Sequence, residues 1–319
     1  MPWPDRRSLA CLLLLCVGLA QAESSENTAK LKLSKQINPD TPEEELAPPT
    51  LMQRLRHCND GTDRSDGWLR HLTREDQAQT PRRFGQPCDV DWHKPIFILP
   101  YSYSRDYESS QTEALFAVSA KLRPLGPPLY FAYSQRSFWS LYDAERSRPF
   151  RETVFNPEVF YRWIPKSATQ ELNWGLDGGY EHESNGQDIP ESRSWDRLYI
   201  APFIERGGTA LQAKFWYRLP EDDKKDENDP GGDDNPDIDR YLGYGEIHLF
   251  RQINRDRRLN AMFRYNPATG YGALRIEHLD RLGDGDLFWN VYLWHGYGES
   301  LTDYNDSVTR IGVGFALSP

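Results

Sequence analysis

From residue 95 onward, apolar and polar side chains alternate one for one in short runs separated by turn residues. The last run is the clearest: Ile311, Val313, Phe315 and Leu317 alternate with Arg310, Gly312, Gly314 and Ala316. Leu211, Ala213, Phe215 and Tyr217 alternate with Gln212, Lys214, Trp216 and Arg218, and Leu274 and Ile276 alternate with Arg275 and Glu277. A period of two sends successive side chains to opposite faces of a strand, so each run has one apolar and one polar face. Runs of roughly 9–11 residues with this pattern are what a closed barrel needs to cross a bilayer with its apolar side outward. Twelve candidates begin near residues 95, 112, 128, 157, 174, 194, 209, 241, 258, 270, 286 and 305. The predicted fold class is all-β: a transmembrane antiparallel β-barrel of about 12 strands over residues 94–319, with several weak segments that leave ten or fourteen open on the pattern alone.

The segment before it has a different pattern. Arg6 and Arg7 precede an apolar run over residues 9–20, and Ala20-Gln21-Ala22 follows. Residues 1–22 therefore read as a cleaved signal peptide, the run being too short for a spanning helix of about 20 residues. Residues 23–93 are rich in proline and charge without sustained alternation, which predicts a periplasmic extension. Leu51, Met52 and Leu55 allow a short amphipathic helix near residues 49–56. Cys11 and Cys16 leave with the signal peptide, so Cys58 and Cys88 are an expected disulfide in an oxidising compartment.

Mean hydropathy is −0.75 and the formal net charge is −10, values that would suit a soluble protein. A barrel escapes that inference, because only alternate residues meet lipid. The acidic balance argues against nucleic-acid binding, which wants a basic face. Ten Trp and seventeen Tyr are enough for aromatic girdles at both interfaces. Residues 221–239 hold ten acidic side chains with Pro230, Gly231 and Gly232, and read as a long solvated extracellular loop.

Candidate chemistry concentrates in residues 180–199, YEHESNGQDIPESRSWDRLY. On a strand, His182 and Ser184 leave the same face. A turn-rich stretch with Asn185, Gly186 and Pro190 follows, and then a returning strand from Ser194. A hairpin centred near Ile189 would set Asp196 opposite His182. Hydroxyl, imidazole and carboxylate side by side are the set that activates a serine nucleophile. Glu181 and Glu183 share the other face and belong in the polar lumen, so the His-Ser pair must point toward lipid. An active site on the outer wall is sensible for a phospholipid substrate.

The twenty-residue stretch resembles the active-site hairpin of the outer membrane phospholipase A family of Gram-negative bacteria. The likeness recurs at 135–139 (QRSFW), 146–153 (RSRPFRET), 233–237 (DDNPD), 269–272 (TGYG) and 295–309 (HGYGESLTDYNDSVT), and so covers most of the chain from about residue 94. It implies a calcium-dependent phospholipase of the bacterial outer membrane that cleaves acyl esters of phospholipids and lysophospholipids, active as a homodimer. Ser184 would be the nucleophile, His182 the base and Asp196 its orienting partner. Backbone amides of Ser184 and Gly186 would hold the oxyanion. The resemblance implies calcium ligation by the Gln187 carbonyl, the Ser192 hydroxyl and the Ser147 hydroxyl from a second subunit, and a dimer contact at Gln135. Three positions depart from the family pattern. Asp196 stands where the family usually has Asn, Gln187 where it often has Arg, and Ile189 where Asp is expected.

Two readings compete with this one. A non-enzymatic porin or structural barrel predicts a wide conducting lumen and an unreactive serine. A soluble periplasmic lipase is disfavoured by the apolar-out strands and by the lack of a Gly-x-Ser-x-Gly elbow.

Overall fold

The computed structural model describes residues 90–106, 112–122, 129–168, 172–226, 229, 231–283 and 286–317. The signal peptide, the amphipathic stretch at 49–56, the Cys58–Cys88 pair and nearly all of the 23–93 extension lie outside the described residues. The strands are β1 (Val90–Asp91), β2 (Ile96–Ser104), β3 (Thr112–Leu122), β4 (Leu129–Trp139), β5 (Phe150–Trp163), β6 (Asn173–Ser184) and β7 (Ser194–Arg206). They continue as β8 (Thr209–Arg218), β9 (Gly245–Gln252), β10 (Arg257–Tyr265), β11 (Gly272–Arg281), β12 (Leu287–Tyr297) and β13 (Ser307–Leu317), with a short helix α1 (Ile238–Leu242) between β8 and β9.

Strands β2 to β13 pair antiparallel with their sequence neighbours, and β13 pairs back onto β2, which closes a twelve-stranded barrel. The two-residue β1 adds to the end of β3. Closure leaves no unpaired strand edge, the condition for strands to stand in hydrocarbon. Among the described residues no helix is long and apolar enough to cross a membrane.

Alternation decides which side chains meet lipid. On β13, Ile311, Val313 and Leu317 are exposed on the outer surface while Val308, Arg310 and Ala316 are buried within. On β7, Leu198, Ile200 and Ile204 face out and Trp195, Arg197, Tyr199 and Phe203 face in. Short turns such as 207–208 and 253–256 occupy one rim, and the longer loops 140–149, 185–193, 219–244 and 298–306 the other. These are the periplasmic and extracellular ends of such a barrel.

The lumen is filled. One apolar cluster gathers Phe97, Leu99, Leu115, Phe138, Phe288, Tyr292 and Trp294, and a second gathers Tyr130, Phe160, Trp195, Tyr199, Trp216, Ile238 and Leu242. Buried charges pair around them. Arg310 reaches Glu113 at 3.0 Å and Glu299 at 2.9 Å, and Glu181 meets Lys214 at 2.8 Å and Arg197 at 3.2 Å. Pairing is what makes buried charge tolerable. A cavity of about 200 Å³ remains among these groups. The wide lumen that the porin reading requires is absent from the described residues.

Two boundaries differ from expectation. The fifth strand starts at Phe150 instead of near 157, so Pro157, of a residue type usually confined to strand starts and edges, sits in mid-strand. The ninth starts at Gly245 and not near 241, because Ile238 and Leu242 bury one face of α1 in the second apolar cluster.

Candidate active site on the outer wall

The β6–β7 hairpin has the register that its sequence spacing predicts: His182 pairs with Asp196, and Ser184 with Ser194. The imidazole Nδ1 lies 2.9 Å from Asp196 Oδ1. The same carboxylate oxygen accepts the Tyr180 hydroxyl at 2.5 Å. The His182 and Asp196 side chains are 34% and 31% exposed, on the outer face, whereas Glu181 is buried in the lumen and Glu183 bonds Arg197 there at 2.7 Å. Ser184 follows His182 on the outer face at the extracellular end of β6. His182 and Asp196 thus meet, and Ser184 stands beside them with no hydrogen bond to the imidazole among the described residues.

The turn after Ser184 is held by Asn185, which is buried. Its Nδ2 donates to the Glu191 carbonyl at 2.7 Å and to Thr302 Oγ1 at 3.3 Å, and its Oδ1 accepts the Arg193 amide at 2.9 Å. Glu152, on the inner face of β5, ties Thr302 to the same point by accepting its amide at 2.7 Å. Gly186 has φ +62°, the left-handed region where side chains are strained, and a Cβ there would stand 3.1 Å from the Phe155 ring. The turn therefore needs glycine on two counts.

The candidate metal ligands Ser147, Gln187 and Ser192 fall on two loops, 140–149 and 185–193, and a third loop, 219–244, touches one of them. Ser192 Oγ donates to Asp234 Oδ2 at 2.5 Å, and Lys224 Nζ is 2.5 Å from Asp234 Oδ1. Asp234 was not among the predicted ligands, although the motif at 233–237 contains it. The acidic loop is accordingly more than solvated chain: Asp233 binds Arg218 at 2.7 Å, and Asn235 is fully buried and accepts the Ser194 amide. Burial and then the charge of Asp233 push the Glu221 carboxyl above its ordinary range, with Asp196 and Asp234 adding to the same negative field. Gln187 lies in the 185–193 turn, where its Nε2 donates to the Arg151 carbonyl. Ser147 is exposed in the 140–149 loop at φ +61°, an uncommon conformation for a residue with a side chain. Among the described residues no three His, Cys, Asp or Glu side chains converge as a metal cluster. Hydroxyl, carbonyl and one carboxylate are hard oxygen donors, a set that fits calcium.

Gln135, on the outer face of β4, belongs to a chain of polar groups. Tyr133 Oη donates to its Oε1 at 2.9 Å, and its Nε2 donates to Ser137 Oγ at 3.1 Å, which also accepts Thr153 Oγ1 at 3.1 Å. The next outward residue on β5, Phe155, pairs with Ser184, so this polar row adjoins the hairpin.

A closed antiparallel barrel with an apolar belt and a filled polar interior defines a membrane-spanning β-barrel protein, with Ser184, His182 and Asp196 close together on its outer wall. The sequence profile of the family described as Phospholipase A1 matches residues 73–317, and the chain belongs to that family. It is 37% identical over 206 residues to the phospholipase A1 of Escherichia coli K12, a match covering 61% of this chain and 64% of that protein's length. Its fold superposes on the outer membrane phospholipase A of Escherichia coli with a TM-score of 0.63 at 30% identity, covering 72% of this chain and 94% of that one. A calcium-bound dimer of the Salmonella typhi outer membrane phospholipase matches with the same TM-score and identity, over 72% of this chain and 93% of that one.

Proposed function

We propose that this chain is a calcium-dependent phospholipase of the outer membrane that cleaves acyl esters of phospholipids and lysophospholipids at sn-1 or sn-2. The observation that carries the reading is the His182–Asp196 pair on the lipid-facing wall with Ser184 next to it. A polar constellation facing hydrocarbon is costly, and a substrate that arrives from the bilayer is what gives it a use.

In this scheme Ser184 Oγ attacks the ester carbonyl carbon while His182 takes its proton. Asp196 accepts the Nδ1–H bond, fixing the tautomer and stabilising the imidazolium. The backbone amides of Ser184 and Gly186 supply donors for the oxyanion. The tetrahedral species collapses by breaking the bond to the glycerol oxygen, which receives the proton from His182. Water then repeats the sequence on the acyl-serine, releasing a fatty acid and restoring the hydroxyl. The Tyr180 hydroxyl adds a bond to Asp196 that a carboxylate facing lipid needs.

The Ser192 hydroxyl and the Gln187 carbonyl would hold calcium together with Ser147 from a second copy, with Asp234, which accepts the Ser192 hydroxyl, beside them. Calcium held by these residues would supply positive charge for stabilising the oxyanion. The strained, outward Ser147 and the polar row through Gln135 support a dimer across this wall. The Gln135 amide keeps one donor and one lone pair for a partner.

Phospholipid hydrolysis by detergent-refolded chain, with calcium or with chelator and beside Ser184→Ala, tests the proposal. Calcium-dependent fatty-acid release that vanishes in Ser184→Ala is the expected result. Activity that survives chelation removes the metal. A folded dimer without activity returns the non-enzymatic barrel to first place.

A further inference from the structure

The wall behind His182 is broken at one point. The pairs Phe155–Ser184 and Glu158–Glu181 fix the β5–β6 register, which sets Pro157 opposite His182. Proline has no N–H and cannot make the ladder bond that a strand residue would offer there. The His182 carbonyl instead accepts Nδ2 of Asn156 at 2.7 Å. Asn156 is buried on the lumen side, and its Oδ1 accepts Lys94 Nζ at 2.5 Å. An ammonium only donates, so it fixes the polarity of the amide and turns Nδ2 toward the carbonyl. Lys94 is itself placed by Glu158 at 3.3 Å and Glu181 at 3.9 Å. A residue just ahead of the first barrel strand, 62 positions from Asn156, therefore stands behind the bond.

We infer that Asn156, oriented by Lys94, is a positioning residue for His182, replacing from inside the barrel the backbone bond that Pro157 removes. The inference rests on the reading of His182 as the general base. A side-chain amide can be held or released without unzipping the strand, whereas a ladder bond cannot. The imidazole projects from the other face of the same residue, so a shift of the His182 backbone swings it directly. Misplacing a reacting group by about 1 Å can cost on the order of a hundredfold in rate.

The test uses the full refolded chain and two readouts: lipid hydrolysis, and the rate of Ser184 labelling by an organofluorophosphonate. Asn156→Ala is expected to lower kcat and the labelling rate by about tenfold or more with little change in KM. Pro157→Val restores a backbone N–H facing the same carbonyl and alone should leave activity close to that of the parent. Combined with Asn156→Ala, it should recover most of the lost rate, which a merely structural role for Asn156 would not predict. If Asn156→Ala does not fold, Asn156→Asp, which keeps the shape and loses the donor, is read in the same way. Activity within twofold of the parent in Asn156→Ala, or a folded double variant as slow as the single, would overturn the inference. Activity that survives in Ser184→Ala would instead remove the catalytic reading beneath it.

Discussion

Two outward-facing histidines sit at the extracellular ends of two strand pairs on opposite sides of the barrel, and their surroundings match at first glance. On β6–β7, His182 pairs in register with Asp196 and its Nδ1 lies 2.9 Å from the carboxylate. On β12–β13, His295 pairs in register with Thr309 and its Nδ1 lies 2.8 Å from the hydroxyl. The differences begin one step out. Two residues beyond His182 stands Ser184, whereas the same step from His295 reaches Tyr297. Asp196 can stabilise an imidazolium, and a threonine hydroxyl cannot do so comparably. Behind His182 the ladder is interrupted and an asparagine fills the gap, while β12 and β13 pair without a break from Leu287–Leu317 to Tyr297–Ser307. A histidine with a cross-strand hydrogen bond is thus no signal in itself. A carboxylate, a neighbouring serine and a departure from regular pairing at one place set the proposed site apart.

The sharpest way to break this comparison is to delete each imidazole in turn. His182→Ala should lower hydrolysis on the order of a thousandfold or more, whereas His295→Ala should stay within about twofold, measured as fatty-acid release per folded barrel. Comparable losses in both would mean that the outer wall, and not the triad, governs activity. Next in size is a charge on the regular pair. Val291→Arg on the lipid face of β12 should destabilise the barrel by about 2–4 kcal/mol in urea titrations of bilayer-folded protein, with activity per folded molecule unchanged. No destabilisation would mean that this face does not meet hydrocarbon.

Asp196 separates charge from orientation. Asp196→Ala should cost roughly ten- to a hundredfold in kcat, and Asp196→Asn only a few-fold, since an amide still fixes the imidazole. Equal losses would make the carboxylate charge the essential feature. The smallest effect belongs to Gln135→Ala, which should weaken dimerisation by about 0.6–1.7 kcal/mol, read by analytical ultracentrifugation in detergent with calcium. An unchanged dimer constant would move the interface to another face.

Much of this protein is local and therefore legible along the chain. Period-two alternation places Ile311, Val313 and Leu198 on lipid and Arg310 and Arg197 in the lumen, because a strand has only two faces. The hairpin register followed from symmetric spacing about residue 189, and with it the meeting of His182 and Asp196. Only closure of the barrel decided the rest. Lys94, Asn156 and His182 come from three separated segments, Ser192 meets Asp234 across 42 positions, and Asn185 meets Thr302 across 117. A ring of twelve strands sets who faces whom across a shared lumen and a common rim, and no periodicity within one strand records its distant partners. Pro157 looked like a strand start for the same reason: the amide that compensates for it comes from its neighbour's side chain, and Lys94 holds that amide from outside the strand.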